Sequence, residues 1–217
     1  MCPTFRREGK DHYIYTRVAS LRGGVQELYG TERFKRDMGQ CFANRALLQR
    51  FRGRCGWGIR CRKTVEGIEA GQVLGVYTGR LSLTKKREKE TNHPYHCYLS
   101  EITVADKTMH LQLKGTGGFD GIPVECNASL INHKCKKANC TAEYVQPLGD
   151  DRPGYLLVKA RRDIRPGYAL SLTYRNVKSL EACRQAAEEL GDGWKAVPCR
   201  CRWQRECPKG RGFLVRE

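Results

Sequence analysis

Residues 132–140 bring together the side chains that most clearly suggest chemistry in this chain. Asn132 and His133 follow two apolar residues, which predicts that their amide and imidazole groups are partly buried and form hydrogen bonds. Cys135 and Cys140 lie five positions apart among three lysines. Thiols at this spacing suit a metal site, a disulfide or simple packing, and this stretch alone leaves the three alternatives open.

A second group of thiols, Cys199, Cys201 and Cys207, lies near the carboxyl terminus. Zinc in a structural site takes four tetrahedral ligands, so a cluster of three cysteines requires a fourth ligand from elsewhere in the chain. Cys135 and Cys140 are the two candidates for that position. Arginines beside these cysteines favour the thiolate form that binds metal. A zinc ion would therefore join the tail to residues 132–140.

The composition limits the class of protein and its partners. The chain has 217 residues, 12 cysteines and a formal charge of +17. No apolar run follows Met1, and no stretch approaches the roughly 18 apolar residues of a membrane span. We therefore expect an intracellular protein without a membrane segment, whose cysteines bind metal rather than form disulfides. The charge indicates an acidic partner such as nucleic acid, chromatin or a membrane surface, the alternative being an ordinary arginine-rich surface.

Hydrophobic patterns predict a β-rich central portion with little helix. Short strands are expected at residues 73–77, 109–113, 155–158 and 170–174, separated by glycine turns. Residues 1–54 form a basic flank in which Gly23, Gly24 and Gly30 are expected to break the chain into short pieces. Apolar residues recur every three to four positions over residues 31–51, which predicts a helix. A second helix is predicted from a cap at Ser179 to Gly191.

Four blocks, in order, resemble the SET-domain protein lysine methyltransferases with a post-SET zinc motif. They are residues 56–60 (GWGIR), 68–79 (IEAGQVLGVYTG), 130–140 (LINHKCKKANC) and 160–174 (ARRDIRPGYALSLTY), with the cluster 199–207 matching the post-SET motif. Residues 41–45 (CFANR) are similar to the end of the family's zinc-binding flank, the pre-SET or AWS segment, whose other cysteines are missing. The resemblance covers roughly residues 55–210.

The resemblance implies a mainly β fold with few helices, built from short sheets of the β-clip type with a C-terminal pseudoknot. It implies a remnant pre-SET or AWS-like flank over residues 1–54 and a SET domain over 55–175 with an insert at about 92–122. A C-terminal helix and a small zinc-bound post-SET segment are expected over residues 176–217.

The activity that the resemblance implies is transfer of a methyl group from S-adenosylmethionine to a lysine ε-amine. A histone tail in chromatin is the expected substrate, with another protein as the alternative, and structural zinc is the expected metal. The implied location is nuclear and chromatin-associated, with nucleosomal DNA bound through the basic surface. The oligomeric state does not follow from the sequence.

Site residues follow from the same resemblance, position by position. The catalytic residues are Tyr174 and Tyr95, and the substrate channel also includes Tyr98 and Leu172. Residues expected to bind the cofactor are Gly56, Trp57, Gly58, Asn132, His133, Tyr174 and Phe213, with Trp203 as an alternative to Phe213. The zinc ligands are Cys135, Cys199, Cys201 and Cys207, with Cys140 as the alternative to Cys135.

The chain departs from the family pattern at a few of these positions. Ser129 replaces an arginine, Ala169 a glutamate and Leu172 the aromatic residue that limits how many methyl groups are added, while Thr173 stands at an acidic position. The smaller Leu172 predicts di- or trimethylation. The other departures favour a second interpretation, a catalytically degenerate SET module that binds chromatin or nucleic acid. A zinc-dependent nucleic-acid binder unrelated to methylation is a third.

Overall fold

The fold is given by a computed structural model, which describes residues 14–16, 19–53, 56–77, 79–84, 96–104, 107–115, 124–135, 137–149, 152–173, 178–191, 194–199, 207 and 210–216. The helices in these residues are α1 (Ala19–Gly30), α2 (Glu32–Ala43) and α3 (Leu180–Leu190). The strands are β1 (Ile14–Thr16), β2 (Leu48–Gly53), β3 (Gly56–Cys61), β4 (Val73–Tyr77), β5 (Gly79–Thr84), β6 (His96–Val104), β7 (Lys107–Gly115), β8 (Asn132–His133), β9 (Cys140–Val145), β10 (Tyr155–Ala160), β11 (Ser171–Leu172), β12 (Lys178–Ser179), β13 (Trp194–Pro198) and β14 (Arg211–Arg216).

The strands of the described residues form five small sheets. Their orders are β1-β5-β7-β6, β4-β10-β9 and β12-β14-β13, with two-stranded pairs β2-β3 and β8-β11. The prediction of a mainly β fold of short sheets with few helices is confirmed. Strands predicted at residues 73–77, 109–113 and 155–158 lie within β4, β7 and β10.

Helix α2 covers the three-stranded sheet β4-β10-β9. The Thr31 side chain caps the helix by accepting a hydrogen bond from the Phe34 backbone N–H at 3.2 Å. Phe34, Met38 and Cys41 recur at helical spacing and are buried in the same core as Tyr155. Burial of this apolar stripe against the sheet is what stabilises so short a helix.

A buried polar contact joins α2 to β10. The Tyr155 hydroxyl donates to the Asp37 carboxylate at 2.7 Å, and Arg33 Nε lies 2.8 Å from the same oxygen. Asp37 is 3% exposed and Tyr155 fully buried, so the carboxylate is compensated by both a cation and a hydrogen bond. Burial, with the neighbouring Asp37 carboxylate adding to it, raises the pKa of the Tyr155 phenol.

The expectation that glycines interrupt the amino-terminal flank is wrong at Gly23 and Gly24, because α1 runs through both. A Cβ at Gly24 would lie 3.0 Å from Pro153 Cδ, so this glycine allows the helix to approach the loop before β10. At Gly30 the expected break occurs, since α1 ends there.

The helix predicted over residues 31–51 is correct only in its first part. Residues 44–47 form a short 3-10 turn and residues 48–53 are strand β2. Strand β2 pairs antiparallel with β3 along its whole length, with Phe51 opposite Gly58. The apolar residues of 44–51 continue the helical spacing by coincidence. Pairing of β2 with β3 makes residues 48–53 a strand instead.

The predicted carboxyl-terminal helix is confirmed as α3. The Ser179 side chain accepts a hydrogen bond from the Ala182 backbone N–H at 3.1 Å, and Gly191 follows the last turn with a φ of +72°. Such a positive φ favours glycine at the end of a helix. Helix α3 packs against β13 and β14, with Cys183 buried.

A second hydrophobic core lies beneath the strand pairs β2-β3 and β8-β11. Its buried members include Leu48, Ile59, Ile131, Leu170 and Leu172. Leu170 and Leu172 alternate with Ser171 along the chain, so burial of the two leucines fixes the orientation of the serine between them. None of the helices in the described residues has the length and apolar character required to cross a bilayer.

Candidate active site

Strands β8 and β11 bring two distant parts of the sequence side by side. They pair in parallel, with Ser171 opposite Asn132 and Leu172 opposite His133. The Lys134 N–H donates to the Leu172 carbonyl at 2.8 Å, and the Thr173 hydroxyl donates to the Lys134 carbonyl at 3.0 Å. The last predicted block therefore lies directly against the Asn-His pair.

Asn139 fixes this arrangement from the other end of the loop. Its Nδ2 donates to the Ala169 carbonyl at 2.9 Å, and its Oδ1 accepts from the Ser171 N–H at 2.7 Å and from the Ser171 hydroxyl at 3.0 Å. Asn139 and Ser171 are both 8% exposed. Because a buried polar group is costly when unpaired, these bonds select one register of the loop against β11.

Asn132 lies against the glycine-tryptophan-glycine block on β3. Its Nδ2 donates to the Trp57 carbonyl at 3.3 Å. A Cβ at Gly58 would lie 2.5 Å from that same nitrogen and 3.0 Å from a carbon of the Phe51 ring. Any side chain at Gly58 would displace Asn132, so glycine is required for this close approach. Two of the predicted cofactor-binding segments are thus in contact.

The Trp57 side chain points away from Asn132. It is 47% exposed, and the Arg50 guanidinium carbon lies 4.2 Å from the centroid of its ring. The backbone carbonyl of this residue therefore faces Asn132, while its indole is exposed on the face of the β2-β3 pair opposite to Gly58.

His133 is half-buried beside the cysteines. Burial, together with the positive charge of Arg211, lowers the pKa of its imidazole to about 4, so the ring is neutral near pH 7. Its Nε2 lies 2.9 Å from Cys135 Sγ, and which atom donates depends on the tautomer.

Cys135 meets two cysteines of the tail. Its Sγ lies 3.5 Å from Cys199 Sγ and 3.4 Å from Cys207 Sγ. Ligand atoms of His133, Cys135 and Cys199 all lie within 4.8 Å of one another, as in a group able to bind a metal ion. Sulfur atoms around tetrahedral zinc, with Zn–S bonds of about 2.3 Å, lie roughly 3.8 Å apart. The donor types and spacing of these thiols fit zinc.

Of the two candidates for the fourth thiol, it is Cys135 that lies with the tail cysteines. The Cys140 side chain is buried, and its Sγ donates to Asn139 Oδ1 at 3.5 Å. Burial raises the pKa of Cys140 to about 11, which disfavours the thiolate needed for metal binding.

The structure describes the remaining predicted site residues only in part. Leu172 is buried, at 6% exposure. Gly56 begins strand β3, opposite Gly53. Tyr98 lies on β6 and Phe213 on β14, opposite Val197, but their side chains are outside the described part. Tyr95, Tyr174, Cys201 and Trp203 lie outside the described residues altogether.

Two residues next to the site were missed by the sequence prediction. Ser171 is the partner of Asn139, and Phe51 packs over Gly58 beside Asn132. The available signal for Ser171 was its hydroxyl, at a polar position between Leu170 and Leu172. Phe51 gave none, because its spacing matched the helical pattern before it.

Comparison with solved structures shows a shared fold. The chain matches Arabidopsis thaliana SUVH6 in complex with S-adenosylmethionine with a TM-score of 0.52 and 21% identity, covering 76% of this chain and 32% of that one. KRYPTONITE in complex with mCHG DNA and S-adenosylhomocysteine gives a TM-score of 0.46 and 23% identity, covering 76% of this chain and 28% of that one. The chain thus spans about a third of the length of these proteins.

Sequence comparison identifies the family. No curated protein matches the chain closely enough to count as a relative. The family model described as the SET domain matches residues 56–175, which is more than half of the 217 residues. These residues include the β3 block, the Asn-His pair on β8 and strand β11. The chain therefore belongs to the SET-domain family.

Proposed function

We propose that this protein is a protein-lysine N-methyltransferase that uses S-adenosylmethionine and acts on a histone tail in chromatin. The observation that carries the proposal is the contact of Asn132 with the Trp57 carbonyl across Gly58. It joins the two segments expected to bind the cofactor, and it leaves Asn132 only partly buried. A half-buried amide beside a glycine backbone suits the polar groups of a small ligand.

The residues present fit S-adenosylmethionine. Backbone of the 56–58 block, the Asn132 amide and the neutral His133 ring would bind it, with Phe213 or Trp203 against the adenine. The bound cofactor supplies an electrophilic methyl group on its sulfonium. Transfer of that group is an in-line displacement that depends on alignment and needs no metal at the reacting centre.

The protein's task is to present a neutral lysine amine. A lysine side chain has an ordinary pKa of about 10.4, so a narrow apolar channel that disfavours the charged form promotes deprotonation. Tyr174 and Tyr95 are proposed to line this channel, with Tyr98 beside them. Their hydroxyls would orient the amine, and their ring faces tolerate the developing methylammonium.

Leu172 is proposed to set the product. It replaces an aromatic residue of the family pattern and is buried beside the Asn-His strand. A smaller side chain leaves space for an amine that already carries methyl groups, so di- and trimethyl-lysine are the expected products. A mass spectrum with monomethyl-lysine alone would contradict this assignment.

Structural zinc is proposed at Cys135, Cys199, Cys201 and Cys207. The short sulfur–sulfur distances around Cys135 support it, and Arg211 on β14 lies close enough to influence the charge of His133. Zinc there would attach the tail to β8 and close the cofactor side of the site. Its role would be to position residues, with no part in the transfer itself.

A catalytically degenerate SET module is the second candidate, and Ser129 is the observation that favours it. Its hydroxyl is buried without a hydrogen-bond partner among the described residues, in place of the family's arginine. Ala169 and Thr173 are weaker evidence for this candidate, because both residues are exposed. The Ala169 backbone carbonyl accepts a hydrogen bond from Asn139, and the Thr173 hydroxyl donates one to the Lys134 carbonyl. Binding of the cofactor separates the candidates.

The test is incubation of zinc-loaded protein with labelled S-adenosylmethionine and recombinant nucleosomes, beside free histones. Label is expected in a histone and is expected to disappear in Tyr174→Phe. Tyr168→Phe is the matched control, because Tyr168 is 60% exposed on the same segment and is expected to retain activity. Cofactor binding without label in any histone would indicate another protein substrate, and no cofactor binding would favour the degenerate module.

A further inference from the structure

The strand pair β2-β3 carries an unusual concentration of positive charge. Between Asp37 and Glu66 the chain contains no acidic residue but seven basic ones: Arg45, Arg50, Arg52, Arg54, Arg60, Arg62 and Lys63. Strands β2 and β3 lie in the middle of this stretch. Three of the seven, Arg50, Arg52 and Arg60, lie on these two strands, which we call the basic ribbon (residues 48–53 and 56–61).

One face of the basic ribbon exposes two arginines around a tryptophan. Arg52 lies opposite Trp57, and Arg50 is two residues before Arg52, so the three side chains share a face. All three are exposed. The guanidinium carbons of Arg50 and Arg52 lie 4.2 and 5.9 Å from the centroid of the Trp57 ring.

In the described part of the chain, Arg50 and Arg52 interact with the Trp57 ring rather than with carboxylates. Among the described residues, no acidic side chain lies within ion-pair distance of Arg50 or Arg52. An arginine stacked on an aromatic face keeps its charge and its outer N–H donors while losing part of its freedom. Within the part of the chain that the structure describes, the two charges are therefore oriented by the ring and not paired with a carboxylate, as in a surface that binds an anionic partner.

We propose that the basic ribbon binds the phosphate backbone of duplex DNA. Duplex DNA carries about one negative charge per 1.7 Å of its axis, so it complements a row of fixed cations. Single-stranded nucleic acid relies on bases stacking on open aromatic faces, whereas Arg50 already covers the Trp57 ring. The choice of duplex DNA rests on the proposed chromatin substrate. Docking through the basic ribbon would hold the SET domain on a nucleosome without reading sequence.

The test measures binding of a short labelled duplex of random sequence to the full chain. The ribbon variant is Arg50→Gln/Arg52→Gln, and the control is Arg36→Gln/Arg184→Gln, which removes the same charge from exposed positions on α2 and α3. The ribbon variant is expected to lose about tenfold or more in affinity at low salt. Its slope of log affinity against log salt should fall by about two, roughly one for each lost phosphate contact. The control is expected to keep the wild-type slope.

A third variant separates charge from folding. Arg50→Lys/Arg52→Lys preserves both charges and is expected to retain most of the affinity and the wild-type salt slope. Equal losses in the ribbon and control variants would show that net charge alone matters, and would overturn the proposal. Tighter binding of a single strand than of the duplex, with the larger loss there, would also overturn it.

Methylation of a free histone peptide by the ribbon variant distinguishes this proposal from the proposed function. If the ribbon variant methylates the peptide and binds DNA as tightly as the control variant, the DNA-binding proposal is rejected and the proposed function is not. No methylation of the peptide by any variant, with DNA binding lost only in the ribbon variant, would reject the proposed histone substrate and support the basic ribbon.

Discussion

Asn132 and Asn139 belong to the same short loop but have different surroundings. Asn139 is 8% exposed, and both ends of its amide bind the segment 169–171. Asn132 is half-buried, and the hydrogen bond described for its side chain is a longer one of 3.3 Å to the Trp57 carbonyl. The Asn139 amide therefore stabilises the fold through its hydrogen bonds, whereas the Asn132 amide has polar groups that can still bind a ligand.

The two cysteines of the loop repeat this contrast. Cys140, next to Asn139, is buried and its pKa is raised to about 11. Cys135, near Asn132, is less buried and lies within 3.5 Å of Cys199 and Cys207 sulfurs. Residues 132–135, the Asn132 segment, thus carry the candidate chemistry. Residues 137–140, the Asn139 segment, position it.

The largest expected effect is on metal content. Cys135→Ala is expected to abolish stoichiometric zinc binding, because it removes the thiol that contacts both tail cysteines. Cys140→Ala is the matched control and should bind zinc as the wild type does. Elemental analysis after dialysis measures both. Equal zinc content in the two variants would contradict the assignment of zinc binding to the Asn132 segment rather than to the Asn139 segment.

The next effect is on stability. Asn139→Ala is expected to lower the free energy of unfolding by about 3 kcal/mol, since it removes the acceptor of the buried Ser171 N–H and hydroxyl and the donor to the Ala169 carbonyl. Asn132→Ala should cost less than about 1 kcal/mol, because its bond is long and partly exposed. Urea unfolding of the two variants checks this, and similar losses would contradict the assigned roles.

The smallest effect is expected at Thr173. Its exposed hydroxyl donates to the Lys134 carbonyl at 3.0 Å. Thr173→Val should lower the unfolding free energy by about 0.5 kcal/mol and leave S-adenosylmethionine affinity unchanged, because water can replace the lost donor at an exposed site. A large loss of cofactor binding in this variant would indicate that the departure at Thr173 affects the site directly.

Local signals in the sequence predicted the elements whose stabilising contacts lie nearby. The cap at Ser179 and the glycine at Gly191 delimited α3, and alternating apolar residues identified β7. Motif resemblance identified the Asn-His strand and the glycine-tryptophan-glycine block, which the structure brings into contact.

Features that depend on distant parts of the chain were missed. Phe51 looked helical because its partner, Gly58, belongs to another strand. Asn139 was part of a motif, but its bonds to Ser171 cross 32 positions of sequence. Gly24 looked like a helix breaker, although the approach of Pro153 accounts for a glycine within α1. Non-local packing determined each of these outcomes.

The central claim is that the Asn132 segment binds S-adenosylmethionine, and calorimetric titration of the zinc-loaded protein tests it most directly. The wild type and Thr173→Val are expected to show saturable binding of equal affinity. Asn132→Ala should bind about tenfold more weakly or worse, while retaining its fold. Absence of binding to the wild type, or unchanged affinity in Asn132→Ala, would contradict the claim.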